Sequence, residues 1–353
     1  MPGPERPVSL RPLPSVVLWE VTYACPLRCP FCYSESGLRP SRALPLEQML
    51  RVADRLLTIR PRVVHLSGGE PLVVKGLFEV AERLQRGGVQ VVLTTSGFGL
   101  DAEAARGIGA SCHSVHVSID GPDAVLHDRL RGREGSFAAA LDGLGLLDRL
   151  SRARREAGQP RVRFGIDCVV LRSNFDALPR LVTDVAARFP ELEFVIFNGV
   201  VPQGLASRAG YEEELLDEAQ MAALDSGELE RSLTLLGGGR LAVFTRNNFD
   251  LQMHPETVRD GTAWTLDRMI VEPDGAVRAM EVYEGTVGNV LDESLDLLWA
   301  RSCDRRRDPF VAEQLAKVHS AAEWSAATRV IDRRFAVDKE LVRLDKRRPY
   351  RTS

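Results

Sequence analysis

The chain has 353 residues, 44% hydrophobic and 27% charged, with a formal net charge of −3, the balance of a soluble chain able to bury a sizeable core. No apolar run approaches the ~20 residues of a membrane span, the Pro-rich start (Met1–Pro14) has no apolar signal core, and the Arg residues, though far more numerous than Lys, are scattered and matched by 49 acids. Membrane and nucleic-acid partners are therefore excluded, and a cytoplasmic location is expected.

In chain order, residues 1–15 read as an extended lead. Strand-like runs follow at Val16–Val21, Val63–Leu66, Val89–Thr94, Ser114–Ile119, Val162–Val170 and Leu192–Phe197. Helical patterns lie between them at Pro45–Ile59, Leu77–Arg86, Ala102–Ile108, Phe137–Arg155 and Ala177–Arg188. Pro45 suits a first helical turn and Gly87-Gly88 a helix stop. Strict alternation implies parallel strands with right-handed crossovers, in an open sheet or an incomplete barrel. Beyond Tyr211 the pattern changes: an acidic helical stretch (Tyr211–Arg231), the break Gly237-Gly238-Gly239, and a hairpin of Arg268–Glu272 and Ala276–Met280 about Pro273-Asp274-Gly275. A helix around Leu295–Trp299 and a charged helical tail with Trp324 and Phe335 as packing anchors complete the chain.

Of six cysteines, three crowd into Cys25-Pro-Leu-Arg-Cys29-Pro-Phe-Cys32, and Cys112, Cys168 and Cys303 stand alone. A disulfide framework would show dispersed pairs in a short secreted chain. Thiolates at C-x3-C-x2-C spacing let one short loop hold three corners of an iron–sulfur cubane. Structural zinc normally takes four protein ligands, and no second C-x-x-C completes such a set. The segment begins where the first strand stops, and a barrel carries its chemistry at the C-terminal ends of its strands. The expected fold is α/β: a partial (β/α)6 TIM-type barrel over residues 16–235, a small β-hairpin region over 236–303 and a helical tail over 304–353.

The cysteine run, with Phe31 before the third cysteine, resembles the signature of the radical S-adenosylmethionine (SAM) superfamily. Further motifs follow in that family's order, each at a strand end. Ser67-Gly68-Gly69-Glu70-Pro71 resembles the segment receiving the SAM amino group. Thr94-Thr95-Ser96-Gly97 stands where relatives have Thr-Asn-Gly. Val117-Ser118-Ile119-Asp120-Gly121 resembles the ribose or carboxylate contact, Arg131 the arginine near the SAM carboxylate, and Val169, Val170 and Leu171 with Asn174 the adenine-packing region. The resemblance implies one 4Fe–4S cluster on Cys25, Cys29 and Cys32. It implies SAM contacts at Phe31, Gly68, Gly69, Glu70, Thr95, Ser96, Ser118, Asp120, Arg131 and Val170, and an external one-electron donor of flavodoxin or ferredoxin type. The reduced cluster would cleave SAM to a 5′-deoxyadenosyl radical that abstracts hydrogen from the substrate.

The region from Met269 to Trp299 resembles the SPASM or twitch appendage of peptide- and metabolite-modifying relatives, but Met280 stands where they carry a cysteine. A degenerate, cluster-free appendage is expected, with redox-neutral outcomes such as epimerisation, decarboxylation or rearrangement. Cys168 is the foremost candidate hydrogen donor, with Cys303 second. His65, His113 and His116 are expected to pack or hydrogen-bond, and Asp167, Glu193 and Asn198 have an ambiguous facing. With only about fifteen residues before the first strand, a small-molecule substrate from antibiotic, nucleoside or aminosugar metabolism is the first expectation. Maturation of a ribosomal peptide is the alternative, and a non-catalytic metal-binding interaction protein is the reading from another class.

Overall fold

The computed structural model describes residues 13–252 and 267–351; most of the expected lead at 1–15 and part of the 236–303 region lie outside them. The six expected strands are present as β1 (Val16–Thr22), β2 (Val63–Gly68), β3 (Gln90–Thr95), β4 (Ser114–Ser118), β5 (Phe164–Val170) and β6 (Phe194–Gly199). They pair in sequence order and in parallel. The sheet is wider than six strands. β7 (Ala242–Arg246) adds in parallel to β6, and β8 (Arg268–Val271) adds in parallel to β1. β9 (Ala276–Arg278) and β10 (Thr286–Asn289) continue antiparallel beyond β8, so the sheet runs across the residue 235/236 boundary drawn from sequence.

Helices cover one face because their apolar positions recur every three or four residues. Met49, Val52, Ala53 and Leu56 of α1 (Leu46–Thr58) are buried, as are Leu77, Val80, Ala81 and Leu84 of α2 (Leu77–Arg86). With α3 (Ala102–Ser111) and α5 (Ser136–Glu156) they form one core with the outward residues of the strands: Val17 and Trp19, Val64 and Leu66, Val91 and Leu93, Val115 and Val117, Ile166 and Cys168, Val195 and Phe197. Side chains alternate across a strand, so the opposite, inner face carries Glu20, His65, Ser67, Thr94, His116, Ser118, Asp167 and Asn198. That face is polar.

Three departures from the sequence expectation have local causes. α4 (Ala124–Arg131) was not anticipated; it is short, capped by Asp123 accepting from the Leu126 amide, and stopped at Gly132. The helix expected at 177–188 is a chain of short turns with a wide turn at Leu181–Val185, which keeps Leu178, Leu181, Val182 and Val185 together on the core side. The acidic stretch from Tyr211 is split into Glu218–Asp225 and Glu228–Leu236 around Gly227.

The C-terminal region closes the β1 edge. Arg278 of β9 is buried between Glu20 Oε2 and Glu272 Oε1, both at 3.3 Å, and the Tyr23 hydroxyl donates to Glu20 at 3.0 Å. Arg42 joins Glu272 at 2.8 Å. Removing one member of a buried ion network leaves an uncompensated charge. Arg278→Met is expected to cost about 3–5 kcal/mol, read as a lowered urea midpoint, and adding Glu20→Gln should restore part of the loss.

Candidate active site at the strand ends

The cysteine loop leaves β1 and is tied down on three sides. Toward β2, the Gly69 amide donates to Thr22 O at 2.7 Å and the Glu70 amide to Ala24 O at 2.9 Å. A Cβ on Gly69 would stand 2.2 Å from Ala24 O, and Gly68 has φ +120° with Thr22 O 2.4 Å from its would-be Cβ. These glycines are needed because the loop backbone lies against them. Toward α4, the Arg28 amide donates to Arg131 O at 3.0 Å, and Cys29 Sγ lies 3.7 Å from the same oxygen. Beyond β6, the Leu205 amide donates to Cys32 O at 3.0 Å, and Arg208 donates to Pro30 O at 2.8 Å.

The three cysteines thus share one short loop. Amides point at two of the sulfurs: Leu27 N at Cys25 Sγ, 3.4 Å, and Ser36 N at Cys32 Sγ, 3.3 Å. Burial pushes the Cys25 thiol up to about 11 and the Cys29 thiol to about 12. Free thiolates are disfavoured there, and a bound metal would supply the missing positive charge. Among the described residues, no three Cys, His, Asp or Glu groups converge on one metal-ion position. Thiolates that each take a different iron of a cluster do not need to.

Glu70 joins the loop to β3. Its Oε1 accepts from Leu72 N at 3.1 Å and Thr95 Oγ1 at 2.7 Å, and its Oε2 from Ser96 N at 2.8 Å and Ser96 Oγ at 2.5 Å. Burial outweighs these donors and pushes the carboxyl above its usual range. At the next strand end, Asp120 Oδ2 lies 2.6 Å from Arg131 Nε, and Asp120 Oδ1 accepts from Val169 N at 2.9 Å. The Arg131 guanidinium stands 5.6 Å over the Phe31 ring. Asn174 completes the corner by donating to Asp120 O and Val169 O, both at 2.9 Å. The structure therefore gathers Phe31, Gly68, Gly69, Glu70, Thr95, Ser96, Ser118, Asp120 and Arg131 at one end of the parallel sheet.

Two expected residues are not on its inner face. Cys168 and Val170 are fully buried in the helix-side core with Ile166; the inward positions of β5 are Asp167 and Val169. The Cys168 sulfur contacts Val169 O at 3.7 Å and Asn174 Nδ2 at 3.9 Å. That placement does not present a hydrogen donor to a ligand on the inner face. Cys303 lies on the Leu295–Arg305 helix, packed against the same core.

The inner face resolves the residues whose facing the sequence left ambiguous. His65 Nε2 and Thr94 Oγ1 are 2.6 Å apart, Asn198 donates to Asp167 Oδ1 at 2.8 Å, and His116 Nδ1 lies 3.7 Å from Asp167 Oδ2. The two imidazole rings are 5.6 Å apart. Burial raises the Asp167 carboxyl, but the His116 and Asn198 contacts outweigh it and hold the group below the usual carboxylate range. Burial, with help from His116 and Arg268, pushes His65 down to about 3. His113 and Glu193 instead meet at a more exposed edge through Arg163.

His127 was not singled out from sequence, though Asp123 and Gly132 bracket its helix. Its Nδ1 accepts from the Asp120 amide at 3.1 Å, and burial, then Arg131, pushes it down to about 3 from 6.5. The unfolded chain takes a proton on this side chain at higher pH than the folded one, so stability is full above about 6.5 and is lost as pH falls toward about 3. The thermal midpoint is expected to fall over that window, and His127→Gln should flatten the decline.

Residues 19–154 match the model of the radical SAM superfamily. The chain is 34% identical over 177 residues to the mycofactocin maturase MftC of Mycolicibacterium smegmatis, covering 50% of this chain and 42% of that protein. It is 31% identical over 199 residues to the AdoMet-dependent heme synthase of Methanosarcina barkeri, covering 56% and 54%. The chain thus spans about half the length of these relatives. Its fold is that of Streptococcus suis SuiB solved with the precursor peptide SuiA: TM-score 0.62, 14% identity, 90% of this chain and 72% of that one. The cysteine loop, the Gly-Gly-Glu joint and the ends of β1–β4 all lie inside the segment that matches the radical SAM superfamily, whose members are enzymes built on a 4Fe–4S cluster and S-adenosylmethionine.

Proposed function

We propose that Cys25, Cys29 and Cys32 hold a 4Fe–4S cluster, and that the strand-end residues seat SAM against it for hydrogen abstraction from a substrate on the inner face. The observation that carries this reading is the single joint in which the cysteine loop, Gly69-Glu70 and the β3 end are hydrogen-bonded together. When bound, the cluster and SAM supply one electron and a 5′-deoxyadenosyl group able to abstract hydrogen. Gly68 and Gly69 keep the loop close, Arg131 offers a cation fixed by Asp120, and Ser118 lies on the inner side between that pair and Asp167. The neutral His65 and the anionic Asp167 orient a polar substrate.

A peptide is the favoured substrate. MftC is named a maturase, and SuiB was solved with a precursor peptide. The small-molecule reading is kept by the likeness to a heme synthase; neither name favours an antibiotic, nucleoside or aminosugar. A cluster-free C-terminal region is supported by its packing. Met280 lies in an apolar core with Tyr283, Val311, Leu315, Trp324 and Ile331, and Trp324 Nε1 donates to the Tyr283 hydroxyl at 3.1 Å. Redox-neutral outcomes follow from that reading, with the hydrogen returned by a group other than the buried Cys168.

Anaerobic reconstitution is expected to give about four irons per chain, lost in Cys25→Ala, Cys29→Ala or Cys32→Ala and retained in Cys112→Ala. Near eight irons would refute the cluster-free region. Deuterium should pass into 5′-deoxyadenosine from the peptide fraction of a labelled cell extract; passage from the small-metabolite fraction alone would reverse the substrate reading. His116→Ala and Asp167→Asn should lower that transfer about 10–100-fold, the worth of a hydrogen bond to a charged group, while SAM cleavage without substrate persists.

A further inference from the structure

A cavity of about 640 Å³ opens between residues 35–42, which continue the cysteine loop, and the last helix and tail, 339–348. Eight of its fourteen lining residues are Arg or Lys and two are Glu, in a chain whose net charge is −3. Three of those cations are neutralised: Arg42 by Glu272, and Arg343 and Arg347 by Glu35 and Glu284. Arg39, Arg208, Lys339, Lys346 and Arg348 form no ion pair with a carboxylate among the described residues. Leu38 and Val342 stand exposed between them, at 61% and 53%.

The groove wall also reaches the cysteines. The Glu35 amide donates to Cys32 O at 3.3 Å and the Leu205 amide to the same oxygen at 3.0 Å, while the adjoining Ser36 amide points at Cys32 Sγ at 3.3 Å. None of the inner-face residues His65, Thr94, His116 or Asp167 lines it. A substrate seated here would be beside the wrong side of the cysteine loop. A protein that delivers only an electron needs nearness to the thiolates and nothing more.

We infer that this basic groove is the docking surface for a small acidic one-electron carrier protein. The inference rests on the cluster reading of Cys25, Cys29 and Cys32. The reduced carrier loses one electron, which is taken up at the cysteine-held cluster; no bond forms or breaks, and no proton is asked of the groove. Exposed cations without a carboxylate partner among the described residues, here Lys339, Lys346 and Arg348, steer an anionic partner and raise its encounter rate. The small footprint, with two exposed apolar side chains among its charged lining, suits the weak contacts of redox encounters, which sit at the low end of interface sizes.

The test uses the reconstituted full chain with two probes, a purified flavodoxin and a purified acidic ferredoxin, both oxidised, in calorimetric titrations at low and physiological salt. Binding of at least one carrier that weakens steeply with salt is expected. The triple variant Lys339→Glu, Lys346→Glu, Arg348→Glu should lose at least about tenfold in affinity, while Arg106→Glu on α3 should not. Carrier-driven SAM cleavage should fall in the triple variant while dithionite-driven cleavage is unchanged, which also shows that the variant is folded. The inference is overturned if neither carrier binds, if the triple variant binds as tightly as the unmodified chain, or if the variant instead loses affinity for an acidic peptide and keeps the carrier. Failure of dithionite-driven cleavage in the unmodified chain would strike the cluster reading; the titrations report on the groove without it.

Discussion

The Gly69-Glu70 joint is the contact on which the site depends. Two successive amides of this segment hold the backbone of the cysteine loop, and the Glu70 carboxylate reaches the other way to the Thr95 and Ser96 donors. Glu70 is completely buried, so its four hydrogen bonds are not exchangeable for water at low cost. Parallel pairing brings three strand ends level, and the joint converts that alignment into a fixed position for three thiols. A side chain at Gly69 would meet the Ala24 carbonyl, so the joint tolerates glycine alone without moving the loop.

The sheet sorts chemistry by facing. Outward residues of the central strands pack into a core shared with the helices, whereas the inward positions carry the polar groups: hydroxyls, imidazoles, an amide and the carboxylates of Glu20 and Asp167. The half-buried polar groups of this face pair among themselves, His65 with Thr94 and Asp167 with Asn198, and His116 Nδ1 stands 3.7 Å from Asp167 Oδ2. The result is a preorganised polar surface beside the strand-end site. The same rule places Cys168 on the far side, one residue out of phase with Asp167.

The C-terminal region is fastened to the cysteine loop by charge. Arg278 and Arg42 bind it through Glu20 and Glu272, and Arg343 and Arg347 bind it through Glu35 and Glu284. Arg343, followed by Arg278, outweighs burial and holds Glu284 down at about 2, so that pairing persists through ordinary pH. Buried ion pairs contribute little net stability, but their geometry penalises any other register. The loop bearing the cysteines is thereby held on one side by the sheet and on the other by the last helices.

The sequence by itself determined the local features. Alternating apolar periods set the six strands and most of their helices, and the Cys25–Cys32 spacing with the ordered strand-end motifs carried the resemblance to the radical SAM superfamily that residues 19–154 match. Met280, standing in place of a cysteine, was also legible as a letter. Other features depended on contacts between residues far apart in the chain: the pairing of β7 and β8 at the two sheet edges, the α4 corner that holds Arg131, and the cationic groove. Period-two alternation leaves two choices of face for each strand, and only packing against the helices selects one. That selection, which energy of burial makes and no single segment encodes, buried Cys168 and turned His116 and Asp167 toward the inner face.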